Sequence, residues 1–350
     1  MSGGIDSSVM AALLHQAGYE VVGVSMQLFD KSGGLGAAAG KCCTLDDFQD
    51  ARRVANQVGF PHYVMNYEAR FKATVIAPFI ASYLKGETPS PCILCNKYLK
   101  FNSLIKTAEE LGSRFVATGH YAKILLEDGT YHLLKADDPA KDQSYFLFSH
   151  TQETLARTLF PLEAITKAQV RGLARLLKLP VAEKPESQEI CFVSQGRYDK
   201  FIDEAGSAPR EGIGSIRHVH GAILGQHEGY WRFTIGQRKG LGIAHSSPLY
   251  VTDIDPLTNT VWVGEDAHLF RSRLEARAAT WCQGEPPASL QCLAKLRSRS
   301  QEVPAWVEPL KDGQVQVVFE SPQRAITPGQ AVVFYRGLEI LGGAWIHQSS

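Results

Sequence analysis

Two groups of residues in this 350-residue chain have the types and spacing for chemistry. The first is the run SGGIDSS, residues 2–8. Its small residues Ser2, Gly3 and Gly4 let backbone N–H groups approach an anion, and Ser2, Ser7 and Ser8 add hydroxyl donors. A helix starting at the loop would place its positive end behind the same site. Asp6 beside a phosphate site suits Mg²⁺. There is no Gly-Lys-Ser/Thr, so the loop is not of the Walker type. A turn followed by a helix cap is the plainer reading, because Gly, Ser and Asp are the usual capping residues.

The second group is cysteine. Cys92 and Cys95 form a C-x-x-C in PSPCILCNKYLKF, ahead of a helix, where the helix N-terminus and Lys97 favour the thiolate. Cys191 follows 96 positions later (191 − 95) in KPESQEICFVSQG. Three readings compete at this point. Half a zinc site lacks a second pair at finger spacing. A redox pair of thioredoxin type lacks the surrounding motif. The third reading is that the cysteines carry sulfur. Cys282 and Cys292 sit in strand-like surroundings and read as small buried residues, and Cys42 and Cys43 stay unassigned.

The elements that must position these groups alternate. SSVMAALLHQAG has the helical spacing of Val9, Leu13 and Leu14, with Gly18 at its end. YEVVGVSMQLF is strand-like. TLDDFQDARRVANQVG is a helix with Thr44 as N-cap, Asp47 as a capping-box variant and Gly59 as stop. HYVMNY is a strand, EARFKATVIAPFIASYLKG a long helix, and CNKYLKFNSLIKTAEELG another. FVATGH is a strand running into a loop. This order predicts an α/β domain with a parallel, doubly wound sheet and sites at the carboxyl ends of its strands. From residue 205 glycine becomes frequent and short antiparallel strands take over. The expected domains are 1–204, a small central β-rich domain at 205–269 and a β-barrel at 270–350. GGLGAAAG at 33–40 reads as a loop.

Composition sets the bounds. There are 36 Lys+Arg against 36 Asp+Glu, so bulk charge does not coat nucleic acid, although a local basic face is allowed. No apolar run approaches the ~20 residues that cross a bilayer, and no basic n-region precedes an apolar one. Seven cysteines, odd in number and bunched, fit reduced thiols in the cytoplasm.

SGGIDSS resembles the PP-loop of enzymes that split ATP between the α- and β-phosphates and adenylate a substrate. With it, TPSPCILCNKYLKF, ATGHYA, KDQSYFL, LFPL, KPESQEICFV, TIGQRKGLGI and TPGQAVVFY resemble the bacterial tRNA-specific 2-thiouridylase family over nearly the whole chain. In PP-loop enzymes a short apolar strand precedes the loop. The resemblance therefore implies that Met1 stands inside that strand, with the first strand missing and about ten residues absent.

The family resemblance implies ATP with Mg²⁺, adenylation of O2 of the wobble uridine, and sulfur transfer from a cysteine persulfide. The tRNAs would be of glutamate, lysine and glutamine type. Cys95 matches the first catalytic cysteine and Cys191 the one that carries the persulfide, supplied by a cysteine desulfurase or sulfur-relay protein. A monomer is expected. The two cysteines would end as a disulfide. Ser2, Gly3, Gly4, Asp6, Ser7, Ser8, Met26 and Gly119 match the nucleotide site, with His120 and Tyr121 beside it. Gln143 matches a contact to the flipped uridine, Lys141 and Ser144 contacts to phosphate, and Arg238 and Lys239 contacts to the RNA backbone.

Cys92 stands where some members have Asp. Cys92, Cys95 and Cys191 together are an alternative set of ligands for an iron–sulfur cluster that activates sulfide. Ser298 stands where members have an aromatic. Two other functions stay open: a different PP-loop adenylating ligase, which has no use for the cysteines, and an inactive tRNA-binding protein.

Overall fold

The computed structural model describes residues 1–29, 45–185, 190–193, 197–206 and 212–350. Cys42, Cys43, Thr44 and the segment 33–40 lie outside them.

Helix α1 (Ile5–Gln16) begins inside SGGIDSS and buries Ile5, Val9 and Ala12. Gly18, at φ +86°, turns the chain after it. Strands β1 (Gly23–Gln27) and β2 (His62–Asn66) pair in parallel, Gly23 opposite His62 and Gln27 opposite Asn66. Helix α2 (Leu45–Val58) is part of the crossover between them, as a parallel pair requires. Met1 runs beside β1: its carbonyl accepts from Ser25 Oγ at 2.6 Å, and its amino group donates to the Val24 carbonyl.

The next two predicted helices are present but uneven. Helix α3 (Glu68–Phe71) widens into a π-helical stretch (Lys72–Ile76) before α4 (Ala77–Leu84). Pro78, in the first turn of α4, has no N–H for the preceding turn, and this is where the ladder changes. Helix α5 (Pro91–Cys95) passes through a second π-helical stretch (Asn96–Ser103) into α6 (Leu104–Glu110). Strand β3 (Val116–Ala117) then pairs in parallel with β6 (Thr158–Leu159), so the parallel pairing of the first 204 residues takes the form of two separate pairs among those described.

Between β3 and β6 lies a hairpin absent from the sequence expectation, β4 (Ala122–Glu127) and β5 (Thr130–Lys135). Its turn residues Asp128 and Gly129 have φ +47° and +78°, the primed geometry that matches strand twist. Helices α7 (Gln152–Ala156), α8 (Lys167–Leu176) and α9 (Tyr198–Glu204) complete this part. Of these, α7 and α8 open on full capping boxes, at Thr151 and Thr166.

The central sheet holds β7 (Gly214–His218), β8 (Ile223–His227), β9 (Tyr250–Asp255) and β10 (Thr260–Gly264), in the order β8-β7-β10-β9. The last sheet runs β11 (Phe270–Trp281), β14 (Val315–Arg324), β13 (Val303–Pro309), β12 (Leu290–Lys295), β15 (Ala331–Arg336), β16 (Glu339–Ser349), and a β11–β16 pairing closes it into a barrel. Leu274, Val307, Val317, Phe319 and Phe334 fill the interior. The hairpin continues the same sheet, with Ile340 opposite Leu133.

Two cores tie the parts together. Phe71, Phe79, Leu99, Phe192 and Phe201 pack with Trp231 and Val251 of the central part. Ile93, Phe101, Tyr145 and Phe148 pack with Val333, Tyr335 and Ile340 of the barrel. Each such fully buried side chain contributes about 1.5–3 kcal/mol over its exposed state. No helix among the described residues is long and apolar enough to cross a membrane.

Candidate active site

The loop at the start of α1 is shaped by Gly3. Its φ is +68°, and a Cβ there would stand 2.3 Å from the carbonyl oxygen of Asp47. Gly4 is the N-cap of α1, and no side chain caps the helix. The hydroxyls of Ser7 and Ser8 turn back on the Gly4 carbonyl at 3.1 and 2.8 Å, while Ser7 Oγ accepts from Ser2 N at 3.2 Å. Ser8 is fully buried and braces the turn. The first-turn N–H groups of α1 have no side-chain acceptor, which is the arrangement that receives a phosphate. The residues present fit ATP.

Asp6 does not fit Mg²⁺. Lys167 Nζ, on α8, lies 2.7 and 2.8 Å from its two carboxylate oxygens, and Tyr121 OH donates to Oδ1 at 2.8 Å. Both carboxylate oxygens are engaged in this ion pair, where the sequence expectation for Asp6 is a metal ligand. Lys184 makes a second such tie on the other side of the loop. Its Nζ donates to the Gly3 carbonyl at 3.0 Å and reaches Asp47 and Asp50 at 2.7 and 2.6 Å. Partial burial opposes its charge, but the two carboxylates outweigh it and raise the Lys184 pKa.

Gly119 closes the site. A Cβ there would lie 2.9 Å from backbone atoms of Asp6 and Ser7, so the chain after β3 touches the loop directly. The next residue, His120, is buried between Phe101 and Phe160. Its Nδ1 lies 2.8 Å from Thr118 Oγ1 and its Nε2 3.3 Å from Lys100 Nζ. Burial first, and the charge of Lys100 second, hold its pKa well below the usual value. Met26 is half-buried against the core around Phe71.

Cys95 and Cys191 both pack, half-buried, against that same core. Cys92 is exposed at the start of α5. Among the described residues no three His, Cys, Asp or Glu side chains are gathered to hold a metal ion, so Cys92, Cys95 and Cys191 are not arranged as cluster ligands. Burial pushes the thiols of Cys282 and Cys292 up to about 12; Cys282 is buried, as read from the sequence, whereas Cys292 is half-buried.

The KDQS segment is held from inside. Gln143 Oε1 accepts from the Tyr121 N–H at 3.0 Å, and the Gln143 N–H donates to the Tyr121 carbonyl at 2.9 Å. Ser144 is fully buried, its hydroxyl 2.7 Å from Asp142 Oδ2 and 3.3 Å from Tyr335 OH. Ser144 thus braces this loop against the barrel, where the sequence expectation is a phosphate contact. Lys141 is half-buried on the same loop. Arg238 and Lys239 are exposed between Gly236 and Gly240, both at positive φ. Arg238 lines a cleft of about 380 Å³ with Leu241, His245 and Ser247. Neither side chain has an ion-pair partner among the described residues.

Sequence reasoning missed Lys100, Lys167 and Lys184. Lys167 lies 161 positions from its partner and Lys184 134 and 137 positions from its partners, so nothing local marks them. The one available signal was for α8: the Thr166–Gln169 spacing announces a helix N-terminus at Lys167.

Three family models match the chain in order. The tRNA methyl transferase HUP domain covers residues 1–195, the tRNA methyl transferase PRC-barrel domain 200–265, and the aminomethyltransferase beta-barrel domain 271–346. Among curated relatives, the chain is 50% identical over 351 residues to the tRNA-specific 2-thiouridylase MnmA of Geobacter metallireducens, across 99% of this chain and 95% of that one. It is 48% identical to the protein of the same name from Geotalea uraniireducens, across 100% and 94%. A third, from Rickettsia felis, is 46% identical across 99% and 95%.

Proposed function

The chain belongs to the tRNA-specific 2-thiouridylase family, and from that premise we propose how its residues carry out ATP-dependent 2-thiolation of wobble uridine in tRNA. The enzyme is a tRNA sulfurtransferase of the HUP, PP-loop type, and it uses ATP. The observation that carries the site reading is the uncapped start of α1 with the positive-φ turn at Gly3.

Uridine O2 attacks the α-phosphate of ATP bound at that turn, the α–β phosphoanhydride bond breaks and pyrophosphate departs, so that the poor leaving group at C2 becomes AMP. The N–H groups of the α1 turn hold the phosphates, and Gly119 keeps side-chain bulk out of the approach. No step is assigned to Mg²⁺, because Lys167 already neutralises Asp6. Cys191 carries the persulfide, delivered by a sulfur-donor protein, and its outer sulfur attacks C2 of the uridine. Cys95 attacks the inner sulfur of the same persulfide: the Cys191 sulfur–sulfur bond breaks, a Cys95–Cys191 disulfide forms, and the outer sulfur stays on C2 as AMP departs. An external dithiol then reduces the disulfide. The half-burial of both cysteines against one apolar core supports this pairing over a metal cluster.

Gln143 meets the flipped uridine, while Lys141, Arg238 and Lys239 hold backbone phosphates. Met26 borders the adenine. We assign residues 1–204 to the catalytic domain, 205–269 to the central domain and 270–350 to the barrel, and expect a monomer in the cytoplasm.

The test is ATP-dependent thiolation of glutamate, lysine and glutamine tRNAs, read as retardation on an organomercury gel. Wild-type chain should shift the tRNA, and Cys95→Ser and Cys191→Ser should not. Full activity in Cys191→Ser would remove the persulfide route and favour another adenylating chemistry.

A further inference from the structure

We propose that Lys100 is a phosphate-binding residue of the adenylation site and that His120 is the residue that positions it. The inference rests on the ATP reading above.

Lys100 lies on the π-helical stretch that continues the cysteine helix, five residues after Cys95. Its ammonium is half-buried, and its one hydrogen-bond partner among the described residues is His120 Nε2, at 3.3 Å. An ammonium only donates, so Nε2 must accept. The imidazole is therefore neutral, with its proton on Nδ1 and donated to Thr118 Oγ1. Burial keeps it neutral, so the ring serves as a fixed acceptor and not as a proton carrier.

No carboxylate pairs with Lys100 among the described residues. Lys167 and Lys184, at the loop, each hold carboxylates at under 3 Å, so Lys100 differs from both. A half-buried ammonium with two of three N–H groups unused is an incomplete site and calls for an anion. The anion's place is set by His120. The residue before it, Gly119, lies against the backbone of Asp6 and Ser7 in the anion-receiving turn. Lys100 thus adds a full positive charge to a turn that otherwise offers only N–H dipoles, and it links that turn to the helix bearing Cys95. The phosphate it takes is that of the nucleotide, since Gly119, next to the His120 anchor, touches the α1 turn, whereas the exposed cleft around Arg238 is lined by residues of the central domain.

Calorimetric titration with an ATP analogue bearing a methylene between the α- and β-phosphates tests this without turnover, and filter binding of tRNA without nucleotide is run beside it. Lys100→Met should weaken analogue binding by about tenfold or more, Lys100→Arg should restore most of it, and His120→Phe should fall between. tRNA affinity should stay within about twofold of wild type in each. Lys100→Gln replaces the methionine variant if that chain misfolds by circular dichroism. Unchanged analogue binding in both neutral variants would overturn the proposal, as would a loss confined to tRNA, which would assign the phosphate to RNA. If wild-type chain binds no analogue, the ATP reading itself fails, and that result is distinct from either.

Discussion

Lys167 Nζ sits 2.7 and 2.8 Å from the two carboxylate oxygens of Asp6, joining the start of α8 to the first turn of α1 across 161 residues of sequence. The lysine side chain is 10% exposed and the aspartate 31%. Lys167→Met should therefore leave a partly buried carboxylate unpaired beside a phosphate site. We expect a cost of about 2 kcal/mol and a thermal midpoint lower by about 3 °C. The double variant with Asp6→Asn should recover most of that loss. A Lys167→Met midpoint equal to wild type would show that solvent screens the pair.

Gly3→Ala should damage the loop selectively. The residue needs a left-handed backbone, and the added methyl would meet the Asp47 carbonyl. Strain and clash together cost about 1–3 kcal/mol, and analogue binding by calorimetry should fall well below that of Gly18→Ala. Gly18 has the same backbone sign and open space around it, so the comparison isolates the contact from the strain.

Stability should decline as pH falls below 6.5. His150 is buried and its pKa is lowered to about 3, and His120 is also lowered. In the unfolded chain both bind a proton near pH 6.5, whereas the folded chain refuses it. Their stabilising contribution is therefore complete above pH 6.5 and is lost progressively toward pH 3. Each such histidine costs about 1.4 kcal/mol per pH unit in that window. These histidines leave thermal midpoints level from pH 7.5 to about 6.5 and lower them steadily from there to pH 5, and His150→Gln should make that lower slope shallower. An unchanged slope in that variant would remove the assignment.

Native alkylation should separate the cysteines. Cys92 is exposed, and burial raises Cys282 and Cys292 to about 12. Iodoacetamide at pH 8 followed by peptide mass spectrometry should find Cys92 labelled first, with Cys282 and Cys292 labelled only after denaturation. Early labelling of Cys282 would mean that the barrel parts from the core it shares with Phe148 and Ile93.

What could be read from the sequence was what is decided locally. The SGGIDSS turn, the helix stop at Gly18 and the shift to β texture after residue 205 depend on neighbouring residues and periodicity, and they were legible. The β4–β5 hairpin was missed although Asp128–Gly129 is a strong turn signal, because its strands lie inside an alternating α/β region and join a distant sheet. Asp6 and Ser144 have chemistry that suits metal and phosphate. Only the fold brings Lys167 against Asp6 and Tyr335 against Ser144, across 161 and 191 residues, and neither contact could be read locally. The π-helical stretches follow from tertiary packing and from Pro78, and periodicity could not resolve them.

Ile93, two residues before Cys95, shares one packed core with Tyr335 and Ile340 of the barrel, and the hairpin extends the barrel's own sheet. The barrel is therefore not an appendage that swings on a tether. On the proposed function this packing would make the molecule a gauge: an RNA seated on the barrel would meet the cysteine helix at a span set by close-packed side chains, and length counted from the grip would help choose the nucleotide before any base is read.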